Sequence, residues 1–193
     1  QVAEPDERLA EMLVQKYNLP FLVAKIMVLR GITSEETDNF LNPKINNLMP
    51  DPFVLKDMQK AAERIAAAVI DGQRIAVIGD YDVDGATSTS VLKLFLRSVG
   101  VEPEVHIPDR EEGYGPSKQA VDDFKSRGAE LLLTLDCGTT AFAPLEYAAS
   151  LGMDVIVIDH HEAETRLPKI YAVVNPKRLD EELSLIHISE PTR

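Results

Sequence analysis

Three short apolar runs of this sequence are each followed by side chains that bind metals or protons. The runs cover residues 75–78, 131–135 and 155–158. The carboxylates and imidazoles that follow them are Asp80, Asp82, Asp84, Asp136, Asp159, His160 and His161. If the runs are parallel strands, these groups meet at one edge of one sheet. Because so many like charges repel at short range, the sequence predicts that cations neutralise them there.

The donor types narrow the identity of the cation. Carboxylate oxygens are the ligands that Mg²⁺ prefers, and an added imidazole nitrogen shifts the preference towards Mn²⁺. A sulfur-rich zinc site is excluded, because Cys137 is the single cysteine of the chain. We interpret Cys137 as a small buried packing residue rather than a nucleophile.

Each part of this pattern also has a plainer interpretation. An aspartate at the end of a strand often caps the next helix, and paired histidines are often structural. The agreement of three strand ends favours the metal site. Asp82 and Asp84 are two residues apart, so in an extended or looped segment their side chains can point the same way, and Gly85 would let the backbone turn closely around an ion.

The elements that position these groups follow from the apolar pattern. From Arg74 onwards, apolar runs at 75–78, 105–107, 131–133, 155–158 and 172–174 alternate with helical patterns. Short, nearly pure apolar strands between helices indicate an α/β fold, a mostly parallel sheet with helices on both faces. His106 lies on one of these strands, and we interpret it as a packing or surface residue.

A small helical region precedes the α/β domain. Thr33 and Glu36 have the spacing of a capping box, and Pro50 and Pro52 mark a turn or linker. We predict a helical amino-terminal region at 1–52, an α/β domain at 53–182, and a non-native or disordered tail at 183–193.

Composition excludes several classes of protein. The 193 residues carry 20 basic against 32 acidic side chains, a net charge of −12, and 45% of them are hydrophobic. This hydrophobic fraction is ordinary for a globular protein. No apolar run reaches the length of a membrane span, and no signal peptide is visible. A single cysteine makes the reducing cytoplasm the default compartment. The negative charge predicts weak, salt-sensitive binding to nucleic acid.

The same residues carry a family resemblance. Gly79–Ser88, the triplet Asp136-Cys137-Gly138 and the triplet Asp159-His160-His161 resemble the first three motifs of the DHH phosphoesterase superfamily. Within it, the sequence is most similar to the RecJ family of single-strand-specific DNA exonucleases, from about residue 9 to 182. That resemblance implies a hydrolase that needs Mn²⁺ or Mg²⁺ and degrades single-stranded DNA from 5′ to 3′ in DNA repair and recombination.

The resemblance also implies a role for each site residue. Asp82, Asp84, Asp136 and His160 would be metal ligands. Asp80 and Asp159 would support them, and His161 would orient or protonate the phosphate. The residues themselves suggest two substrate contacts: Arg110 for a phosphate, and Tyr114, between two glycines, for stacking on a base. A solvated arginine and a tyrosine that shapes its loop are the alternative interpretations. Single-stranded DNA and a single-strand-binding protein are the implied partners of a cytoplasmic monomer.

The sequence departs from the family pattern in two places. RecJ-type proteins carry a fourth aspartate motif and further domains that are not in these 193 residues, so we expect weak activity from the chain alone. Residues 183–193 have no counterpart in the family, and we interpret them as an appended non-native tail.

Other functions remain open from the sequence. A DHH-type phosphodiesterase for short oligonucleotides or cyclic dinucleotides shares the three motifs. A non-catalytic replication scaffold shares the fold. The segment Asp82-Val83-Asp84-Gly85 also resembles the nucleophile loop of haloacid-dehalogenase-type phosphatases. Ile78 stands where family II pyrophosphatases have a histidine, which disfavours that activity.

Overall fold

The computed structural model describes residues 5–109 and 111–181. The chain forms two compact units that divide between Asp51 and Pro52. Treating these units as separate domains stays a proposal. In its described residues, from 5 onwards, the first unit contains four helices: α1 (Glu7–Tyr17), α2 (Phe21–Leu29), α3 (Thr37–Leu41) and α4 (Ile45–Leu48).

The first unit has a small core between α1 and α2. Ala10, Leu13 and Ala24 are fully buried there. Asp6 caps α1 by accepting hydrogen bonds from the backbone of Arg8 and Leu9 at 3.0 and 3.2 Å. These caps and contacts stabilise a unit too small to bury a large apolar core.

The predicted capping box forms, but it precedes the assigned helix by one turn. The Thr33 amide donates to Glu36 Oε2 at 3.0 Å, and the Glu36 amide donates to Thr33 Oγ1 at 3.3 Å. Helix α3 begins only at Thr37, because residues 34–36 form turns rather than regular α-helix.

The second unit alternates strands and helices, as the apolar pattern predicts. A 3₁₀ turn at Pro52–Val54 leads into the elements α5 (Met58–Ile70), β1 (Ile75–Gly79), α6 (Val83–Ser98), β2 (Glu104–His106), α7 (Lys118–Ser126), β3 (Leu131–Leu135), α8 (Phe142–Ser150), β4 (Asp154–Ile158) and β5 (Ala172–Val174). The five strands form one parallel sheet in the order β2-β1-β3-β4-β5. The α/β fold class is therefore confirmed.

The sheet is buried on both faces, which is why its strands are almost purely apolar. One face packs on α7 and α8 through residues such as Ile78, Phe124 and Leu145. The other face packs on α5 and α6 through residues such as Val77 and Leu96. Burying such side chains contributes about 1.5–3 kcal/mol each, so the sheet is a rigid base for the loops at its carboxyl edge.

The strand order places a crevice at that edge. The chain passes from β1 to β2 on one side and then returns to β3 on the other side of β1. In open α/β sheets the connections diverge at such a reversal and leave a cleft beyond the carboxyl ends of the two strands. The loops after β1 and β3, which carry Asp80, Asp82 and Asp136, flank this reversal.

The outer edge of β5 is covered by side chains. Asp57, which has a left-handed backbone (φ 61°), accepts a hydrogen bond from the Val173 amide at 3.0 Å. Arg178 donates to the Val173 carbonyl at 2.7 Å and pairs with Asp57 at 3.0 Å. Both backbone groups of Val173 therefore have partners on the side away from β4. In the described part of the chain, no helix is long and apolar enough to cross a membrane.

Candidate metal centre

Side chains from three strand ends converge at the carboxyl edge of the sheet. Asp80, Asp82 and Asp136 each offer a ligand atom within 4.8 Å of the other two, and so do Asp136, His160 and His161. Asp136 belongs to both groups. Since β1, β3 and β4 are adjacent and parallel, the convergence follows from the sheet itself.

The segment after β1 differs from the sequence prediction. Asp82 is extended, but Val83 already begins α6, so Asp82 and Asp84 do not lie on one side of an extended segment. That prediction was wrong because Asp82 is a helix cap: its Oδ1 accepts from the Gly85 amide at 2.9 Å. Residues two apart on a helix point in different directions. Accordingly, the exposed Asp84 is in neither group of converging residues.

Gly85 also has a different role from the one predicted. A Cβ at this position would lie 2.4–2.6 Å from the backbone of Asp80. A glycine is therefore required at position 85 because the first turn of α6 packs directly on the end of β1. The sequence had suggested a different reason, a backbone turn around an ion. This close approach holds Asp80 and Asp82 beside each other.

Asp136 is a buried carboxylate with an unusual backbone conformation. It is 8% exposed and has a left-handed backbone with φ 60°. Its Oδ1 lies 2.9 Å from His160 Nε2, whereas its buried Oδ2 has no hydrogen-bond partner in the described structure. Burial, and next the neighbouring Asp82 carboxylate, raise the pKa of Asp136. A buried carboxylate oxygen without a partner, facing a second carboxylate, is the arrangement that a bound cation stabilises.

Asp82 itself is held in the charged form. The hydrogen bond from the Gly85 amide lowers its pKa, against partial desolvation. With Asp82 ionised beside the buried Asp136, the site attracts positive charge.

Asp159 organises the two histidines. Its side chain is 1% exposed, and its Oδ1 accepts from the amides of His160 and His161 at 2.7 and 3.1 Å. The same oxygen lies 2.8 Å from His161 Nδ1. Burial opposes the ionisation of Asp159, but hydrogen bonds from Thr139 and His161 outweigh it and lower its pKa. Partial burial likewise opposes protonation of His161, but Asp159 raises the pKa of its imidazole.

Of the two residues predicted to contact substrate, the described structure contains one. Arg110 lies outside the described residues. Tyr114 is half exposed, and its hydroxyl lies 3.1 Å from His161 Nδ1 and donates to the Asp136 carbonyl at 3.4 Å. Burial and the nearby carboxylates raise the pKa of this hydroxyl, so it stays protonated. Tyr114 thus lies at the site, and its contact with substrate stays a prediction.

Cys137 and His106, two other side chains that could bind a metal, lie where the sequence interpretation expected them. Cys137 is fully buried, and burial raises the pKa of its thiol, as expected of a packing residue. His106 pairs with Glu112 at 2.9 Å on the partly exposed strand β2, apart from the candidate ligands. The converging groups therefore offer carboxylate oxygens and imidazole nitrogens, the donor set of Mn²⁺ and Mg²⁺ sites.

A family comparison agrees with this arrangement. The model described as "DHH family, N-terminal domain" matches residues 74–188, more than half of the chain. The chain belongs to the DHH family. The Asp159-His160-His161 turn supplies the sequence after which that family is named.

DHH relatives of known function are similar over most of this chain. It is 40% identical to the single-stranded-DNA-specific exonuclease RecJ of Bacillus subtilis over 180 residues, which cover 92% of this chain and 23% of the relative. It is 39% identical to RecJ of Escherichia coli over 164 residues, 84% of this chain and 28% of the relative. The chain thus spans about a quarter of these relatives.

Solved structures of DHH proteins share the fold. A RecJ of Thermus thermophilus in complex with Mn²⁺ matches with a TM-score of 0.70 and 29% identity, over 94% of this chain and 25% of that one. An exonuclease RecJ bound to manganese matches with a TM-score of 0.61 and 39% identity, over 67% of this chain and 33% of that one.

Sequence reasoning missed two buried polar residues of this DHH site. The Thr139 amide donates to Asp159 Oδ2 at 3.0 Å. The Asn175 side chain donates to Thr139 Oγ1 and to the His161 carbonyl. Asn175 could have been identified from its position, because it is a polar residue directly after the strand β5. The other polar groups at strand ends were found in that way.

Proposed function

We propose that this chain is the metal-dependent phosphodiesterase part of a nuclease that degrades single-stranded DNA from its 5′ end, in DNA repair and recombination. One observation carries the proposal: Asp136, whose buried Oδ2 has no hydrogen-bond partner in the described structure, is the residue that the two groups of candidate ligands share. The substrate and the polarity rest on the similarity to the RecJ relatives, which are named as single-stranded-DNA-specific exonucleases.

The proposed ligands are Asp82, Asp136 and His160, with Asp80 and Asp159 in support. Asp84 is proposed as a further ligand on the family resemblance alone, since it is in neither converging group. Asp136 belongs to both groups of converging atoms, so it would contribute a ligand to each ion if two ions bind. When bound, Mn²⁺ or Mg²⁺ would act as a Lewis acid on the phosphate and lower the pKa of an attacking water. The asymmetric surroundings of Asp136, with His160 on one oxygen and no hydrogen-bond partner among the described residues on the other, support its part in this set.

His161 is proposed to donate a hydrogen bond to a phosphate oxygen. Asp159 holds its Nδ1 at 2.8 Å, which fixes the ring and leaves Nε2 as the nitrogen for the substrate. A donor held in place before the reaction stabilises charge that develops on the phosphate at little cost of reorganisation. Tyr114 also limits the movement of this ring, because its hydroxyl lies 3.1 Å from the same Nδ1 and the two rings meet edge to face.

Arg110 and Tyr114 are the proposed substrate contacts. Both stand in the sequence between β2 and α7, and Tyr114 contacts the site through its hydroxyl. We further propose that the protein acts as a monomer in the cytoplasm, with single-stranded DNA as substrate and a single-strand-binding protein as partner.

Labelled DNA tests this function. The chain is incubated with Mn²⁺ and single strands labelled at the 5′ or the 3′ end, beside the Asp82→Ala variant. Early loss of the 5′ label as mononucleotides, absent in the variant, is the expected result. Equal degradation by the variant and the parent would show that the metal-site assignment is wrong, and early loss of the 3′ label would refute the polarity.

A further inference from the structure

A buried amide joins two loops of the candidate metal centre. Asn175 directly follows β5 and is fully buried. The Lys177 amide donates to its Oδ1 at 2.7 Å, which orients the amide so that Nδ2 faces the two loops. Nδ2 then donates to Thr139 Oγ1 at 2.8 Å and to the His161 carbonyl at 2.9 Å.

These hydrogen bonds close a ring of four residues beneath the histidines. Asn175 bonds to Thr139, and the Thr139 amide bonds to Asp159 Oδ2 at 3.0 Å. The Asp159 Oδ1 atom bonds to His161, whose carbonyl returns to Asn175. Thr139, Asp159 and Asn175 are at most 6% exposed, so water competes little for these bonds.

The ring holds His161 at two points. Asp159 fixes the imidazole, and Asn175 fixes the carbonyl at the other end of the same residue. His160 lies between Asp159 and His161, and its ring reaches Asp136 at 2.9 Å. The direction of both imidazoles therefore depends on a turn that Asn175 holds in place.

We propose that Asn175 is a positioning residue of the metal centre: its amide fixes the Asp159-His160-His161 turn so that the imidazoles face Asp136. This inference rests on the proposed function. Partners behind metal ligands typically contribute about 10- to 100-fold to metal affinity. In the described structure the Asn175 side chain bonds to the Thr139 hydroxyl, the His161 carbonyl and the Lys177 amide, and these bonds involve no carboxylate oxygen or imidazole nitrogen, so it acts through the turn.

The test measures the affinity of the chain for Mn²⁺ by titration calorimetry. Asn175→Leu keeps the approximate size and removes both donors, and it should weaken Mn²⁺ binding about 10- to 100-fold. Val155→Ala is the control, because it also removes packing from the fully buried sheet core but lies in β4 away from the turn. Its affinity should stay within about twofold of the parent.

A spectroscopic measurement without metal separates positioning from loss of stability. The ring nitrogen signals of His161 should shift in Asn175→Leu and stay unchanged in Val155→Ala. His106, paired with Glu112 on β2, serves as an internal reference in both variants.

Thr139→Val and Thr139→Ser provide a matched pair if Asn175→Leu does not fold. Valine removes the oxygen that accepts from Asn175 and should weaken Mn²⁺ binding, whereas serine keeps this oxygen and should retain most of the affinity. If Asn175→Leu or Thr139→Val binds Mn²⁺ as tightly as the parent and leaves the His161 signals unchanged, the inference about Asn175 is wrong. The proposed function would not be affected by that result. A parent chain that binds no Mn²⁺ would overturn the proposed function and the inference with it.

Discussion

At the residue scale, Asp136 combines two features that are both unfavourable without a cation. It is buried next to Asp82, and one of its oxygens has no hydrogen-bond partner in the described structure. Each feature makes the metal-free state less stable, because an unpaired buried carboxylate oxygen costs about 1–3 kcal/mol. Metal-free stability and metal affinity should therefore respond in opposite directions to a change at this residue.

Asp136→Asn should raise the melting temperature of the metal-free chain and remove most of its response to Mn²⁺. The amide removes one of two adjacent negative charges and can donate to Asp82, a gain of about 1 kcal/mol. The parent should gain about 2.7 kcal/mol when Mn²⁺ is in 100-fold excess over its dissociation constant. Thermal unfolding with and without Mn²⁺ measures both effects.

Asp123→Asn is the charge-matched control, since its exposed carboxylate lies on α7. It should leave both measurements unchanged. A lower metal-free melting temperature for Asp136→Asn would contradict the explanation given for the buried oxygen.

At the element scale, the start of α6 decides the shape of the site. The helix begins at Val83, immediately after its cap Asp82, and Gly85 brings its first turn against the backbone of Asp80. The cap and the close approach together place two carboxylates at the end of β1. Elsewhere in a helix a glycine only lowers stability, whereas here it permits the contact.

Gly85→Ala should destabilise the chain by about 1–3 kcal/mol and weaken Mn²⁺ binding. The added Cβ would lie within 2.6 Å of Asp80 backbone atoms, which cannot move aside as a flexible side chain can. Denaturant unfolding and calorimetry measure the two losses.

Ser90→Ala on the exposed side of α6 controls for the general effect of alanine in this helix. Its stability should change by less than about 0.5 kcal/mol. If Gly85→Ala were as stable as the parent, the close approach between Gly85 and the Asp80 backbone would not contribute to stability.

The sequence predicts strands and most helices of this fold well, because burial on both faces requires continuous apolar runs. Strands β1, β3, β4 and β5 lie where the runs at 75–78, 131–133, 155–158 and 172–174 predicted them. The start of α6 was missed because its first turn, Val83-Asp84-Gly85, has neither apolar periodicity nor strong helix formers. Thr139 and Asn175 were not recognised as site residues because their contacts join loops far apart in sequence.

Glu36 provides a test of pH dependence in the first unit. Hydrogen bonds from Thr33 lower its pKa below the ordinary 4.5. The charged form is thus favoured in the folded state, so its stabilisation is complete above pH 4.5 and is lost as the pH falls through the lower folded-state pKa. The parent should melt higher than Glu36→Gln at pH 7, and the two should converge at acid pH.

Thermal unfolding between pH 7 and pH 3 measures this convergence, and Glu35→Gln at the exposed neighbouring position is the control. A constant difference between the parent and Glu36→Gln across this range would show that the charge of Glu36 does not contribute.

At the scale of the whole molecule, charge limits how the chain can hold DNA. The net charge is −12, although five aspartates of that total lie at the three strand ends of the candidate site. Bound cations would reduce the negative charge where the phosphate has to approach. Affinity for DNA should therefore depend on the metal more than on a basic surface.

We expect the chain to bind single-stranded DNA weakly at physiological salt, with dissociation constants of about 10⁻⁴–10⁻⁶ M, and more weakly as salt rises. Fluorescence anisotropy with a phosphorothioate strand, which resists hydrolysis, measures this with and without Mn²⁺. Mn²⁺ should tighten binding by the parent but not by Asp136→Asn. Nanomolar affinity without metal would refute the electrostatic argument.

The covered margin of β5 has a consequence for self-association. An outermost strand with free amides and carbonyls can recruit a strand from another molecule and start edge-to-edge polymerisation. At Val173 both outward backbone groups are already bonded, to Asp57 and Arg178. A foreign strand arriving there would have to displace an ion pair before gaining its first hydrogen bond, so this side of the sheet resists aggregation.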